Sequence, residues 1–476
     1  MSKITIIIIL NLCIIANAYG NNDNEIARNL CSSCHLFPNP EIMYKEDWEY
    51  GAFPYLEHIL GLKNLQNYSS DKKNEITDKW NKIKSYYLKN STIYSEKKIN
   101  RPKEYNKYSV LNKIDDIECS AIFYDAKGRR ILIGDVNKKS IKIFDLNGIN
   151  YKEVKIGKIP THIIRCNDEI FVCSNNSLNP IDSVLCELGY INEKYDYQVK
   201  YPNLNRPTYY NVVYINSIKY ELLLEYGNKM GKVQLRKNNI IIWQKNISGA
   251  IDAEIIQDNN RLDIFILFAQ EHEMLLHLNV SSMIKEKIIL KKHPGWGFTG
   301  IEINKDKFRS DSIIYLSNGD TTEFQSYPRK YHGLRKYVFN DKLVELKFIP
   351  VHGVLDFKIV NNKIRNHDDL ISVSYFADFR NHPEQSVMIH KFNDNGDYNS
   401  LAIPFQMARW ARITLIENKL ENDYKIVLGS MNFKINNRVY ESNLSYLNNF
   451  KIPRKITDSW AVNGNQLLFL KHDKEE

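Results

Sequence analysis

The chain has 476 residues, with 65 Lys and Arg against 56 Asp and Glu, for a formal charge of +9. Hydrophobic residues make up 43% and charged residues 25%, enough apolar surface for a large core, which excludes a disordered chain. No apolar run reaches roughly 18–20 residues, so no transmembrane domain is expected in the processed protein. Without an arginine-rich stripe or a known nucleic-acid module, no nucleic-acid partner is expected either.

Lys3 is the only charge among the first 22 residues, Ile4–Ile15 is almost wholly apolar, and Ala16-Asn17-Ala18 follows. A charged start, an apolar stretch and a small-x-small site form a secretory signal. Residues 1–18 are therefore read as a signal peptide, and the remainder as periplasmic or extracellular. Cys13 leaves with the signal. Among the six remaining cysteines, Cys119, Cys166, Cys173 and Cys186 can pair in three ways or stay as buried thiols.

Cys31-Ser32-Ser33-Cys34-His35 is the strongest chemical signal in the chain. C-x-x-C-H is the attachment site of c-type haem. On a helix the two cysteines and the histidine share one face, so both thiols reach one porphyrin and His35 becomes the proximal iron ligand. A structural zinc site would need a second ligand pair at similar spacing, and a thioredoxin-like pair would need a βαβ context; neither is present. Helices are expected over Asn24–Cys34, Lys45–Tyr50, Tyr55–Leu60 and Glu75–Leu88. The last carries Ile76, Trp80, Ile83 and Tyr87 at helical spacing. Together they make a small all-α cytochrome c-like haem domain over residues 23–94.

Residues 95–113 are polar and read as a linker. From residue 114 to 476 the texture becomes short β-rich runs with turns between them. The strongest runs are Ile131–Asp135, Phe171–Asn175, Leu222–Tyr226, Ile266–Gln270, Ile314–Asn318, Ser372–Phe376 and Ile426–Ser430. Their spacing of roughly 40–58 residues is that of a four-stranded blade with loops, and seven such units predict a seven-bladed all-β propeller. Asp135, Asn175, Gln270, Asn318 and Ser430, at the fifth position of these runs, are expected to form a polar ring about the axis.

Several strings support a resemblance: Cys31–Pro40, then Trp48, Phe53-Pro54-Tyr55-Leu56, Leu60-Gly61 and Trp80–Tyr87. Further down come Glu225–Asn228, Ala269-Gln270-Glu271, Asn318-Gly319-Asp320, Tyr331-His332-Gly333 and Val351-His352-Gly353. In these the chain resembles exported bacterial proteins that join a cytochrome c domain to an FG-GAP/VCBS-repeat β-propeller. The resemblance implies covalent haem c, a redox partner protein, and a distal methionine where this chain has Leu56. Leucine cannot bind iron, so the sixth position falls to His58, to Met43, or stays open. FG-GAP loops often hold calcium through clustered carboxylates. Here Asp258–Asp263, Asn304–Asp311 and Asn361–Asp369 are eroded, which leaves calcium an open question. His332 and His352, with Glu271 or Asp320, are a weaker candidate acid/base or metal group. Three functions remain open: electron transfer with a partner or substrate on the propeller, an oxidoreductase with its substrate site there, and a binding or sensing module with a ligand-open haem. A carbohydrate or small molecule is a further candidate ligand of the propeller.

Overall fold

The computed structural model describes residues 23–32, 37–62, 65–93, 103–104, 108–178, 185–227, 229–258, 261–281, 283–293, 295–304, 312–319, 331–362, 367–375, 386–393, 395–403, 410–418, 423–431 and 466–472. They fall into a helical unit, within residues 23–93, and a β unit between residues 103 and 472. The segment expected to be a signal peptide, residues 1–18, lies outside the described residues.

The helical unit opens with α1 (Asp23–Cys31), which has acidic residues in its first turn and Arg28 in its last, matching the helix dipole. A 3-10 turn at Pro40–Ile42 leads to α2 (Lys45–Asp47), a π-turn (Trp48–Ala52) and α3 (Phe53–Ile59) in unbroken succession. The sequence suggested two separate short helices, Lys45–Tyr50 and Tyr55–Leu60; the structure joins them, with Pro54 taken up where the π-turn passes into α3. α4 (Ser70–Asn90) begins five residues before its expected start, because the Ser69 side chain caps it by accepting the Lys72 N–H. Its apolar stripe Ile76, Trp80, Ile83 and Tyr87 is buried as expected. Trp80, Ile83 and Tyr87 pack in one cluster with Ala27, Trp48 and Phe53, and Ile76 is buried on the same helix. Trp80 Nε1 donates to Glu57 Oε1 at 2.8 Å, tying α3 to α4.

The β unit is a seven-bladed propeller. In chain order the blades run through Cys119–Lys155, Ile159–Leu204, Pro207–Asn246, Ala250–Lys291, Phe298–Pro350, Val354–Ala402 and Trp410–His472. Each of the first six is a four-stranded antiparallel meander. The seventh borrows its outermost strand: Tyr108–Asp115, from before blade 1, pairs with Gln466–His472. The first strand of each blade contacts the first strand of the next, and that of blade 7 contacts that of blade 1, so the ring is closed. The borrowed strand ties the two ends of the ring together by hydrogen bonds.

This corrects the boundary of the expected linker. Tyr108–Asp115 is a propeller strand, and Lys103–Glu104 pairs in parallel with Leu401 and Ala402 at the outer edge of blade 6. Outer strands face solvent, so their composition is polar and resembles a linker.

Every first strand carries a β-bulge near its start, at Ser120, Thr161, Thr208, Ile251, Thr299, Leu355 and Ala411. A bulge re-aims its side chain, and here it stitches blades together. Ser120, Thr161, Thr208 and Thr299 donate their hydroxyls to the carbonyls of Pro160, Pro207, Ala250 and Val354, each on the next blade. Blades 4 and 6 have Ile251 and Leu355 at the bulge. There the following residue does the work: Asp252 accepts from Ile301 N–H and Asp356 from Ile413 N–H, both at 3.1 Å. Arg412 Nε closes the circle on Ser120 O at 2.9 Å.

Candidate functional site

Cys31 ends α1 with its side chain half-buried against the aromatic cluster of Trp48, Phe53, Trp80 and Tyr87. Burial pushes the pKa of its thiol up, an effect that the neighbouring Tyr87 only partly offsets. Met43 and Leu56 border the same cluster. Cys34 and His35 lie outside the described residues. The His58 backbone belongs to α3, and its side chain is likewise outside what is described. Of the haem-segment residues, then, Cys31 is brought together with Met43, on one apolar core.

That environment is what a covalently held haem needs on the cysteine side. A porphyrin is flat and largely apolar, and its potential depends on burial and on the polarity around it. The cluster offers two tryptophans, a phenylalanine and a tyrosine beside the Cys31 thiol. Trp48 and Tyr87 have ring centroids 4.3 Å apart, and Phe53 meets Trp80 edge-on at 5.8 Å. Of the three motif residues that would hold the group, the one described, Cys31, has surroundings that fit it.

The propeller holds a second polar assembly, though not where the sequence placed it. The seven strong hydrophobic runs are the second strands, one step out from the axis. Their polar ends are spent on local structure. Asp135 is fully buried, accepts from the N–H groups of Asn137 and Lys138, and pairs with Lys142 at 2.8 Å. Asn318 donates to Trp296 O and accepts from Arg335. Asn175 donates to Thr161 Oγ1.

Charged groups converge instead from the first strands. Lys358 of blade 6 pairs with Glu302 of blade 5 and also feels Asp356 and Asp252. Asp252 of blade 4 is half-buried beside Glu254, and desolvation and repulsion push its pKa up to about 7. His162 of blade 2 feels the positive charges of Arg412 and Lys358 from blades 7 and 6; burial, more than those charges, lowers its pKa to about 4. Its Nε2 is buried without a hydrogen-bond partner, and its ring lies 4.8 Å from that of Tyr209. An axial cluster of mixed charge results. The hydrophobic runs gave no hint of it, because these first strands are polar where they face the axis.

The remaining sequence candidates disperse. Among the described residues no group of three or more His, Cys, Asp or Glu side chains could hold a metal ion. Asp368 accepts from Asn304 and Tyr315, and Asp369 from the Phe392 N–H, so these carboxylates serve blades 5 and 6. His332 immediately precedes the third strand of blade 5, His352 follows its last strand, and Glu271 sits in an exposed turn of blade 4. Asp320 lies outside the described residues. Cys119, Cys166, Cys173 and Cys186 are all buried, as thiols rather than disulfides.

These features define a class: a closed seven-bladed β-propeller, preceded in the chain by helices of which the first carries the start of a C-x-x-C-H motif. No family model matches the chain, and no curated protein matches it. Among solved structures it is similar to one described as the AfRom2 CNH domain, at 9% identity and a TM-score of 0.42, over 78% of this chain and 100% of that one. The likeness is remote, and no function is transferred from it.

Proposed function

We propose that this protein is an exported electron-transfer protein with covalently bound haem c, whose propeller binds a redox partner protein or a substrate. The observation that carries the reading is the Cys31–His35 motif, with its first thiol set against an aromatic core. When bound, the haem supplies reversible one-electron exchange. Cys31 and Cys34 would hold it by thioether bonds, and His35 would be the proximal ligand. Trp48, Phe53, Trp80 and Tyr87 exclude water from the Cys31 side. Leu56 cannot ligate, so Met43 and His58 are the candidates for the sixth position, and an open position would admit small ligands.

The resemblance to cytochrome c proteins with FG-GAP/VCBS-repeat propellers supports the same arrangement, and the leader-like segment at residues 1–18 supports export, since the haem is attached outside the cytoplasm. The axial cluster of Asp252, Glu254, Glu302, Asp356, Lys358 and Arg412 favours a polar small molecule, such as a carbohydrate, as a ligand of the propeller.

The test is expression in a host competent in cytochrome maturation, followed by intact mass and by oxidised and reduced absorption spectra. The expected result is a chain one haem heavier, with c-type bands that are lost in Cys31→Ala and Cys34→Ala. A colourless chain of unmodified mass refutes the proposal. Rapid carbon monoxide binding to the reduced protein would identify an open sixth position. A methionine–iron charge-transfer band would identify Met43.

A further inference from the structure

In each first strand the residue after the bulge and the residue two positions on share one face, and the common bulge sets the blades at one level. Charge is not spread evenly round the ring at these positions. Blade 4 contributes Asp252 and Glu254, blade 5 Glu302, and blade 6 Asp356 and Lys358. The facing arc is different: blades 1 to 3 contribute Phe123, His162, Ile164 and Tyr209, with Arg412 of blade 7 between the two arcs.

Hydrogen bonds and an ion pair tie the acidic arc together. Asp252 Oδ2 accepts from the Ile301 N–H at 3.1 Å, next to Glu302, and Glu302 pairs with Lys358. Asp356, on the Lys358 face, accepts from the Ile413 N–H at 3.1 Å, beside Arg412. Arg412 directs its Nε to Ser120 O at 2.9 Å. Four carboxylates therefore share two cations, which leaves an excess of negative charge. Solvent reaches the arc, since the Lys358 and Glu302 side chains are 34% and 20% exposed. On the facing arc the His162 and Tyr209 rings lie 4.8 Å apart. His162 Nε2 is buried with no hydrogen-bond partner among the described residues, a costly state until something bonds it. Burial keeps that imidazole neutral, so it does not offset the acidic excess.

We propose that the axial cluster binds a small primary amine, with its ammonium against the acidic arc and its hydrocarbon body toward Phe123, Ile164 and Tyr209. An ammonium supplies both the missing positive charge and N–H donors for carboxylates. Aromatic faces tolerate a cation beside them. An anion would meet four carboxylates, and a neutral sugar would leave their charge uncompensated. A quaternary ammonium has no N–H to donate. A bare metal ion lacks a ligand set, since no group of three or more His, Cys, Asp or Glu among the described residues could hold one. The inference rests on reading the axial cluster as a ligand site, and it holds with or without haem.

The experiment is titration calorimetry on the full chain at low ionic strength, with putrescine, tetramethylammonium, glucose, acetate and calcium chloride as separate probes. Putrescine is expected to bind saturably and about tenfold or more tighter than any other probe. Glu254→Gln and His162→Phe should each weaken it about tenfold. Asp168→Asn, which alters an exposed carboxylate of blade 2, should not. Thermal melts report whether each variant is folded, and the wild-type comparison of probes stands without any variant. The inference is overturned if putrescine does not bind, if another probe binds as tightly, or if folded Glu254→Gln and His162→Phe both bind like wild type. Glucose bound in place of putrescine overturns it while leaving a propeller ligand site in place. Haem content, from the intact mass of the same sample, reports on electron transfer separately.

Discussion

Replacing Asp125 by alanine should destabilise the propeller by about 3–5 kcal/mol, the usual cost of stripping one partner from a buried ion pair. Asp125 is fully buried at the end of the first strand of blade 1. Its carboxylate accepts from Arg130 Nε at 2.8 Å, from Arg165 Nε and Nη2 at 2.6 Å each, and from the Gly128 N–H at 3.1 Å. Arg165 comes from blade 2, so the bidentate pair spans a blade junction. Both arginines are 15% exposed in their side chains, which places the expected loss toward the lower end of the range. Burial raises the Asp125 pKa, but Arg165, the Gly128 N–H and Arg130 outweigh it and hold the carboxyl below its ordinary value. A depressed carboxyl contributes stability that is present above its unfolded pKa and is lost as pH falls through the folded one. The wild-type advantage over Asp125→Ala should therefore shrink on acidification below about pH 4. Urea midpoints at pH 7 and at pH 3 measure both effects. Asp168→Ala is the comparison: its pair with Lys127 is exposed on both sides and should contribute nothing measurable. Equal midpoints for Asp125→Ala and Asp168→Ala at pH 7 would refute the reasoning.

Thr208→Val keeps the shape but removes the hydroxyl that reaches Ala250 O at 2.8 Å; it should cost about 1 kcal/mol, read by thermal melting, and an unchanged melting curve would count against the blade-junction role. Asp252 is shifted the other way, up to about 7. Its folded form keeps a proton that the unfolded chain releases, so it lowers stability as pH rises from about 4 to 7; Asp252→Asn should flatten that part of the stability–pH curve, and an unaltered slope would argue against a desolvated, repelled carboxyl. His390 is fully buried between Ser372 and Ser400, and burial lowers its pKa to about 3. Below about pH 6.5 the unfolded chain gains a proton that the folded one resists, so wild type should lose stability with acid faster than His390→Gln, measured by denaturant midpoints between pH 7 and pH 4. Deleting residues 108–115 should leave the Gln466–His472 edge of blade 7 unpaired and make the propeller prone to unfolding or association, visible by light scattering.

Periodicity carried the helices well where one face meets a core. Ile76, Trp80, Ile83 and Tyr87 read as a stripe and are buried as one. The start of α4 was missed because Ser69 acts through a single backbone hydrogen bond, which leaves no periodic trace. The C-x-x-C-H string, on which the proposal of haem rests, was legible because covalent chemistry needs particular residues at fixed spacing, whatever surrounds them. Tyr87 was visible only as part of the apolar stripe. Its contact with Pro38, 49 residues away, belongs to the packed unit.

The sequence by itself determined the number of blades. Each blade has a second strand buried on both faces between its neighbours, and burial on both faces demands an unbroken apolar run such as Ile131–Ile133 or Ile264–Phe268. Tertiary structure alone decided what lies at the axis and how the ring closes. Lys358, Glu302, Asp252 and His162 come from four blades, and only closure brings them within electrostatic reach of one another. The strand that completes blade 7 begins 358 residues before its partner, at residue 108 against residue 466. It is polar because it is an edge, and no local pattern distinguishes a polar edge strand from a linker.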